Sequence, residues 1–453
     1  MGRACPRPNA RVGGPRSVPV SARKIQALYG HNSGPFESLV GAIAAILTAL
    51  ESRLGANQRK VPQTADLGAF PKTRFGTLGT MKINVERGAF LKALGHVQSV
   101  VERRNTIPIL SNVLIEAAKG RLKLTATDLD IEIVESIPAD VLRNGAATAP
   151  AHMLYDIVRK MPEGSQVQAE LVSGESGRLS VSAGSIRFEL ACLPQDDFPQ
   201  MSAGALPHRF RLPASELIAL IEKTRFAIST EETRFYLNGI YLHAAKTGKG
   251  QNLRAVATDG HRLARYELEL PEGASQIPGV IVPRKTVAEL RRLLEDADGA
   301  IEIGLSDTKV QFTFNSVELT SKLIDGSFPD YQRVIPTAND KVLTLDAKDF
   351  AQAVDRVSTI SADKTRAVKL NLDGDKVTLS VVNPESGTAT EELGANYTAD
   401  AIEIGFNARY LLDITGQITG KDVRFLLADA GSPTLIEDTE DGRTLYVLMP
   451  MRV

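Results

Sequence analysis

Lys82-Ile-Asn-Val85 is a short alternating strand that runs into a helical pattern over residues 88–101, and the same junction returns twice. Arg209-Phe-Arg-Leu212 precedes a second such pattern at 214–228, and Val342-Leu-Thr-Leu345 a third at 347–360. Phe90, Leu217 and Phe350 take matching places in the three copies, and so wide a period belongs to a domain rather than to a solenoid unit. A second strand and helix recur later in each copy, at 147–161, 280–294 and 402–418. Alternating strands at 122–125, 179–182, 310–314 and 377–381 each have one apolar face to bury, and the amphipathic helices are the elements that can cover it. The reading is α+β: three repeated domains at 81–201, 208–332 and 341–453, each a pair of helix-on-sheet half-units. Six half-units joined head to tail favour an arc with helices inside and sheets outside, whose end edges need partners. Two identical chains closing a ring would supply them.

The ends of the copies carry a second signature. Asp197-Phe-Pro199 and Gly326-Ser-Phe-Pro-Asp-Tyr331 put Phe198 and Phe328 at matching points of the first two copies. Each Phe-Pro reads as an exit into the next domain, because proline ends a ladder and the phenylalanine can pin it. The third copy stops instead at Leu445-Tyr-Val-Leu-Met-Pro-Met-Arg-Val453, a tail expected to pack or to line a groove.

Composition narrows the class. With 43% hydrophobic and 24% charged residues the chain has the balance of a globular protein, and its 453 residues suit about three domains. The longest apolar run, 39–50, is well short of the roughly 20 residues of a membrane-crossing helix. Cys5 and Cys192 suggest neither a disulfide framework nor a thiolate metal site, which suits a reducing, cytoplasmic setting. The net charge of -1 hides a basic head, with 11 Lys+Arg against 3 Asp+Glu in residues 1–80 and 42 against 51 thereafter. An acidic body argues against coating nucleic acid with the whole surface but leaves room for a local basic strip. Residues 1–36 contain no acid and are rich in Arg, Pro, Gly and Ser, so disorder is expected there. A short helix is expected at 36–54 and a polar linker at 55–80. The lead-in before the apolar run is too long for a signal peptide. Met81 opens the patterned sequence, so residues 1–80 read either as an upstream reading artefact, with Met81 the true start, or as a dispensable extension.

Ala257-Thr-Asp-Gly-His-Arg-Leu263 is a tight polar loop between strand-like runs at 253–257 and 263–270. Asp259 and His261 beside Arg262 resemble a hydrolytic pair, yet no neighbouring nucleophile completes a triad. The six histidines show no paired ligand spacing, and Lys246-Thr-Gly-Lys-Gly250 lacks the Walker order and reads as a hairpin turn. No catalytic residue, metal site or cofactor is therefore nominated.

Several stretches together resemble one family. The threefold repeat, Thr106-Ile-Pro-Ile-Leu-Ser-Asn112, Ala257-Thr-Asp-Gly-His-Arg-Leu-Ala264, Ile281-Val-Pro-Arg-Lys285, Phe328-Pro-Asp-Tyr331, Glu403-Ile-Gly-Phe-Asn407 and Met449-Pro-Met-Arg452 are similar to the bacterial sliding clamps, the β subunits of the replicative DNA polymerase. The resemblance covers 81–453 and leaves out 1–80. It implies a non-catalytic processivity factor: a head-to-tail homodimeric ring around double-stranded DNA, without sequence preference. Such a ring tethers the replicative polymerase's catalytic subunit, the clamp loader, other polymerases, ligase and mismatch-repair proteins through short linear peptides. A clamp paralogue with altered partner or inhibitor binding is the alternative.

The resemblance also places sites. The peptide groove maps to Leu237, Thr258, Gly260, His261, Arg262, Leu263, Pro329, Arg333, Val334, Asn407, Tyr410, Val447, Leu448, Met449, Pro450, Met451 and Arg452, with Arg262 and His261 expected to orient the partner's tail. Adaptable Met and Leu side chains suit a surface that accepts many peptides. Phosphate attraction without base readout needs cations on or near the helices. The candidates are Lys92, Arg103 and Arg104; Lys223, Arg225, Arg284 and Lys285; and Lys348, Arg356, Lys364 and Arg366. Arg104 matches a family DNA contact, whereas Glu231 puts an acid at another, His152 stands where a basic residue is common, and Thr365 replaces an aromatic at the groove rim. Ring closure would bring Phe188 and Leu190 against Ile360, and Arg187 against Glu391 or Glu392.

Overall fold

Each of the six expected helices follows directly on a strand: α1 (Arg87–Val97), α2 (Ala151–Arg159), α3 (Ala214–Arg225), α4 (Arg284–Leu293), α5 (Ala347–Ser358) and α6 (Ala408–Thr415). The computed structural model describes residues 81–452 except 173–176, 203, 249 and 362–365. The helix expected at 36–54 lies outside the described residues, as do Lys364 and Thr365.

The strand-to-helix junctions are set by the residue that caps each helix. Glu86 accepts the Gly88 and Ala89 N–H groups at 2.7 Å each, and those backbone bonds hold its carboxyl below the usual range. Asp346 does the same for Lys348 and Asp349, and Asn407 for Arg409 and Tyr410. The other three helices start after Pro150, Pro213 and Pro283. The first helix of each repeat ends a little earlier than its apolar pattern predicts. The residues beyond, Val100, Val101, Ala227 and Ile228, still pack in the core, so the burial period outruns the helix. α1 packs on α2, α3 on α4 and α5 on α6.

The half-units are interlocked rather than merely joined. In every repeat the strand before each helix leaves its own half-unit and adds to the sheet of the other half. Lys82–Glu86 pairs with Gln166–Val172, and Gly145–Pro150 pairs with Asn112–Ala118. The second repeat exchanges His208–Pro213 and Val280–Pro283 in the same way, and the third exchanges Lys341–Asp346 and Ile402–Asn407. A half-unit cannot complete its sheet alone.

Sheets also run across the repeats. Ile131–Pro138 of the first repeat pairs antiparallel with Val317–Lys322 of the second, making one eight-stranded sheet. Arg262–Glu269 of the second pairs with Thr444–Leu448 of the third, making one of nine. The remaining sheets, of five and four strands, end on Ile186–Ala191 and Gly387–Gly394. Phe198 packs with Ile109, Leu110 and Leu114, and the Phe328 ring stacks on Tyr241 at 4.8 Å, so both exits are pinned. Thr247 pairs with Gly250 as a hairpin end, in keeping with the turn read at 246–250.

The third repeat is centred on Phe350, fully buried edge-on against Phe425 at 5.3 Å. Phe350→Ala is expected to cost about 3–5 kcal/mol, seen as an earlier denaturant midpoint with α5 and its sheet unfolding first.

Candidate functional site

The loop between strands Gly250–Thr258 and Arg262–Glu269 is closed by its own side chains. Thr258 Oγ1 donates to the Arg262 carbonyl at 2.7 Å and accepts the Gly260 N–H at 3.1 Å. Asp259 Oδ1 accepts the His261 and Arg262 N–H groups at 2.9 and 3.0 Å. Gly260 sits at φ +89°, and a Cβ there would lie 2.5 Å from the Arg234 guanidinium. Only glycine meets both conditions without strain. Asp259 therefore spends its carboxylate on loop backbone and on Arg262 Nε at 3.1 Å, and makes no hydrogen bond to the His261 ring among the described residues.

Arg262 is the bolt of the site. Only 9% exposed, it donates to Asp259, to Asp413 Oδ2 at 2.6 Å and to the Phe226 carbonyl at 2.6 Å. Its guanidinium lies 4.3 Å from the Tyr410 ring centroid and 5.1 Å from that of Phe226. One cation thus ties the loop to the end of α3 and to α6. The guanidinium expected to orient a partner's tail is thus engaged by three acceptors of its own chain. Exposed His261, 6.4 Å from the Tyr410 ring, is the polar side chain left facing out.

The tail completes the wall. Met449 N–H donates to the His261 carbonyl at 2.9 Å, and Met451 N–H to the Gly405 carbonyl at 2.8 Å, next to Asn407. The chain end is thereby stitched between loop 258–263 and strand Ile402–Asn407. Gly260, His261, Pro329, Arg333, Val334, Met449 and Arg452 are exposed, and Thr258, Asn407, Tyr410, Pro450 and Met451 half-buried. Leu237, Leu263, Val447 and Leu448 are buried, which makes them floor to the exposed residues around them. Leu263 and Val447 share that floor with Tyr331 beneath the Phe328 exit.

Comparison with known proteins now decides the family. Models of the N-terminal, central and C-terminal domains of the DNA polymerase III beta subunit match residues 81–202, 211–330 and 332–452. The chain belongs to this family: it is a bacterial sliding clamp. It is 57% identical to the beta sliding clamp of Caulobacter vibrioides over 373 residues and 38% identical to that of Escherichia coli K12 over 376, covering 82% of this chain and all of each relative. Among solved structures it is similar to a Caulobacter crescentus clamp (TM-score 0.81, 57% identity) and to a Bartonella birtlesii clamp bound to griselimycin (TM-score 0.80, 52% identity). Both comparisons cover 83% of this chain and all of the other.

The clamp's candidate DNA cations divide into two groups. Lys223 is buried and donates to the Gln417 carbonyl, and burial pulls its amine below the usual range, so it ties α3 to the end of α6 and does not face DNA. Lys285 is held by Asp128 at 2.5 Å and Glu102 at 3.1 Å. Lys92 pairs with Asp296, Arg225 with Glu222 and Arg356 with Glu391. His152 is likewise taken up by Gln98 and the Val101 carbonyl. Glu231 clasps Arg234 at 2.6 and 2.7 Å, which lowers its carboxyl, and the pair lies over Gly260. Exposed Arg103, Arg104, Arg284, Lys348 and Arg366 have no side-chain partner among the described residues, and every repeat supplies at least one of them.

The edge candidates also have contacts within the chain. Phe188 is 40% exposed on its edge strand, but Leu190 is 5% exposed and belongs to the protomer core. Arg187 pairs with Glu189 at 3.5 Å, while Glu391 and Glu392 are held by Arg356 and Lys376 of the same chain. Ile360 is half-buried, its carbonyl accepting from Asn383. Sequence reading missed Arg234, Phe226 and Asp413. Arg234 carried one signal, an acid three residues before it; the other two carried none, since folding alone brings them to Arg262.

Arg262→Ala removes a buried cation and strands Asp413, and is expected to destabilise the junction by about 3–5 kcal/mol. Arg262→Lys should recover only a minority, because an ammonium cannot serve three acceptors and two rings at once. Denaturant titration of the two variants checks this.

Proposed function

We propose that this clamp closes as a head-to-tail homodimer around double-stranded DNA and tethers replication and repair proteins by short peptides laid in the groove beside His261 and Met449. The carrying observation is the sheet arrangement. Two seams inside the chain join repeats edge to edge, and Ile186–Ala191 and Gly387–Gly394 end the remaining two sheets. Joining those ends between two chains makes a nine-stranded sheet, in line with the eight- and nine-stranded sheets that already cross the repeats. Domains at 81–201, 208–332 and 341–453 are the units of this ring, with residues 1–80 an extension to it.

Contact with DNA is assigned to the five candidate cations that have no side-chain partner among the described residues, Arg103, Arg104, Arg284, Lys348 and Arg366. Exposed charges without internal partners release counterions on meeting phosphate and read no bases. The groove is assigned to the replicative polymerase's catalytic subunit, the clamp loader and other clamp clients, and to griselimycin, which the Bartonella relative binds. The adaptable rim of Met449 and Met451 around His261 supports that assignment. The ring itself needs no cofactor or catalytic group, and a cytoplasmic location follows from its work on DNA.

Loaded onto a nicked circular duplex, the protein is expected to remain bound through gel filtration and to run off once the circle is cut. Equal retention on circular and linear DNA would contradict encirclement.

A further inference from the structure

The groove loop has a near replica at the other seam. Thr127 Oγ1 donates to the Ile131 carbonyl at 2.9 Å and accepts the Leu129 N–H at 3.0 Å, as Thr258 does with Arg262 and Gly260. Asp128 Oδ1 accepts the Asp130 and Ile131 N–H groups at 2.9 and 2.7 Å, as Asp259 does with His261 and Arg262. Leu129 lies at φ +79° where Gly260 lies at +89°. Lys322 N–H donates to the Asp130 carbonyl at 2.9 Å, matching Met449 on His261. Five hydrogen bonds and one unusual backbone angle are thus reproduced, with different side chains.

The replica opens on a cavity of about 250 Å³, whose lining combines apolar Leu129, Pro199 and Met201 with polar Gln200 and Ser202 and the two cations Lys309 and Lys322. Pro199 follows Phe198 as Pro329 follows Phe328, so the exit segment that lines this cavity has a sequence counterpart at the other seam. That segment is fixed: Met201 N–H donates to buried Glu132 at 2.8 Å. Lys322 is shared with Asp130 at 3.0 Å, whereas Lys309 meets the neutral carbonyl of Ser202 and makes no ion pair among the described residues.

We propose that this cavity at the first seam is a second docking site, which takes a short extended peptide carrying a carboxylate beside an apolar side chain. The apolar part of the lining favours a peptide over a nucleic-acid backbone, which has no apolar group to bury there. Lys309 and Lys322, in place of the methionine rim of the groove, select an acidic sequence. The two seams therefore hold separate classes of partner peptide, and the choice of a peptide as occupant rests on the groove reading given above.

Three methionines separate the sites: Met201 in the cavity, and Met449 and Met451 in the groove. The full chain, with 13C-labelled methionine methyls, is titrated with an acetylated, amidated tetrapeptide of alternating aspartate and leucine, and separately with griselimycin. The peptide is expected to move the Met201 methyl saturably, with a Kd of about 1 mM or tighter, and to leave Met449 and Met451 in place. Lys309→Gln with Lys322→Gln should weaken that response about tenfold or more. Buried Met81 and Met161 report in the same spectrum that the variant is folded. A still Met201 methyl, an undiminished shift in the double variant, or an equal shift produced by a duplex oligonucleotide would overturn the proposal. Griselimycin failing to move Met449 and Met451 would count against the groove alone.

Discussion

A strand edge presents N–H and C=O groups that must be paired or wetted, and this constraint organises the molecule. Within each repeat it is met by exchanging the strand before each helix, which makes both halves of a domain depend on each other. Between repeats it is met by running a sheet through the boundary, at Ile131–Pro138 with Val317–Lys322 and at Arg262–Glu269 with Thr444–Leu448. Domain order and spacing are therefore fixed by main-chain register, which tolerates wide variation of side chains.

At the second seam, side chains add a lock to the register. Arg262 begins the seam strand, so the residue that joins the sheets also clamps α3 and α6 through Phe226 and Asp413. Ile131, at the matching position of the first seam, is apolar and 2% exposed. There the clamping falls to Lys285 on Asp128, and to Arg292, which donates to the Gly95 and His96 carbonyls at 3.3 and 2.9 Å. The two junctions share a backbone and differ in what holds it. Positions beside the lock differ as well: where the second seam has His261 and Met449, the first has Asp130 and Lys322.

Much of this was legible in the sequence, for physical reasons. Period-2 and period-3.6 burial, repeated three times, revealed the six strand-helix junctions, and Phe-Pro marked both exits. Local chemistry marked the loop, since Thr258, Asp259 and Gly260 close it within a few residues. Strand exchange was hidden, because alternation shows that a strand has a buried face and does not name its neighbour. Charge was the other blind spot. Lys223 and Arg225 look alike in a helix pattern, yet one is buried on Gln417 and the other exposed. Which cations remain free depends on acids remote in sequence, as with Arg356 and Glu391 or Lys92 and Asp296.

The central claim is that the ends Ile186–Ala191 and Gly387–Gly394 complete one sheet between two chains. Hydrogen–deuterium exchange of these two strands as a function of protein concentration tests it most directly. The account predicts that both are protected like the internal seam strands at high concentration and lose that protection together on dilution, while the seams keep theirs. Edges that exchange as unprotected amides at every concentration, or that respond to dilution independently of each other, would contradict it.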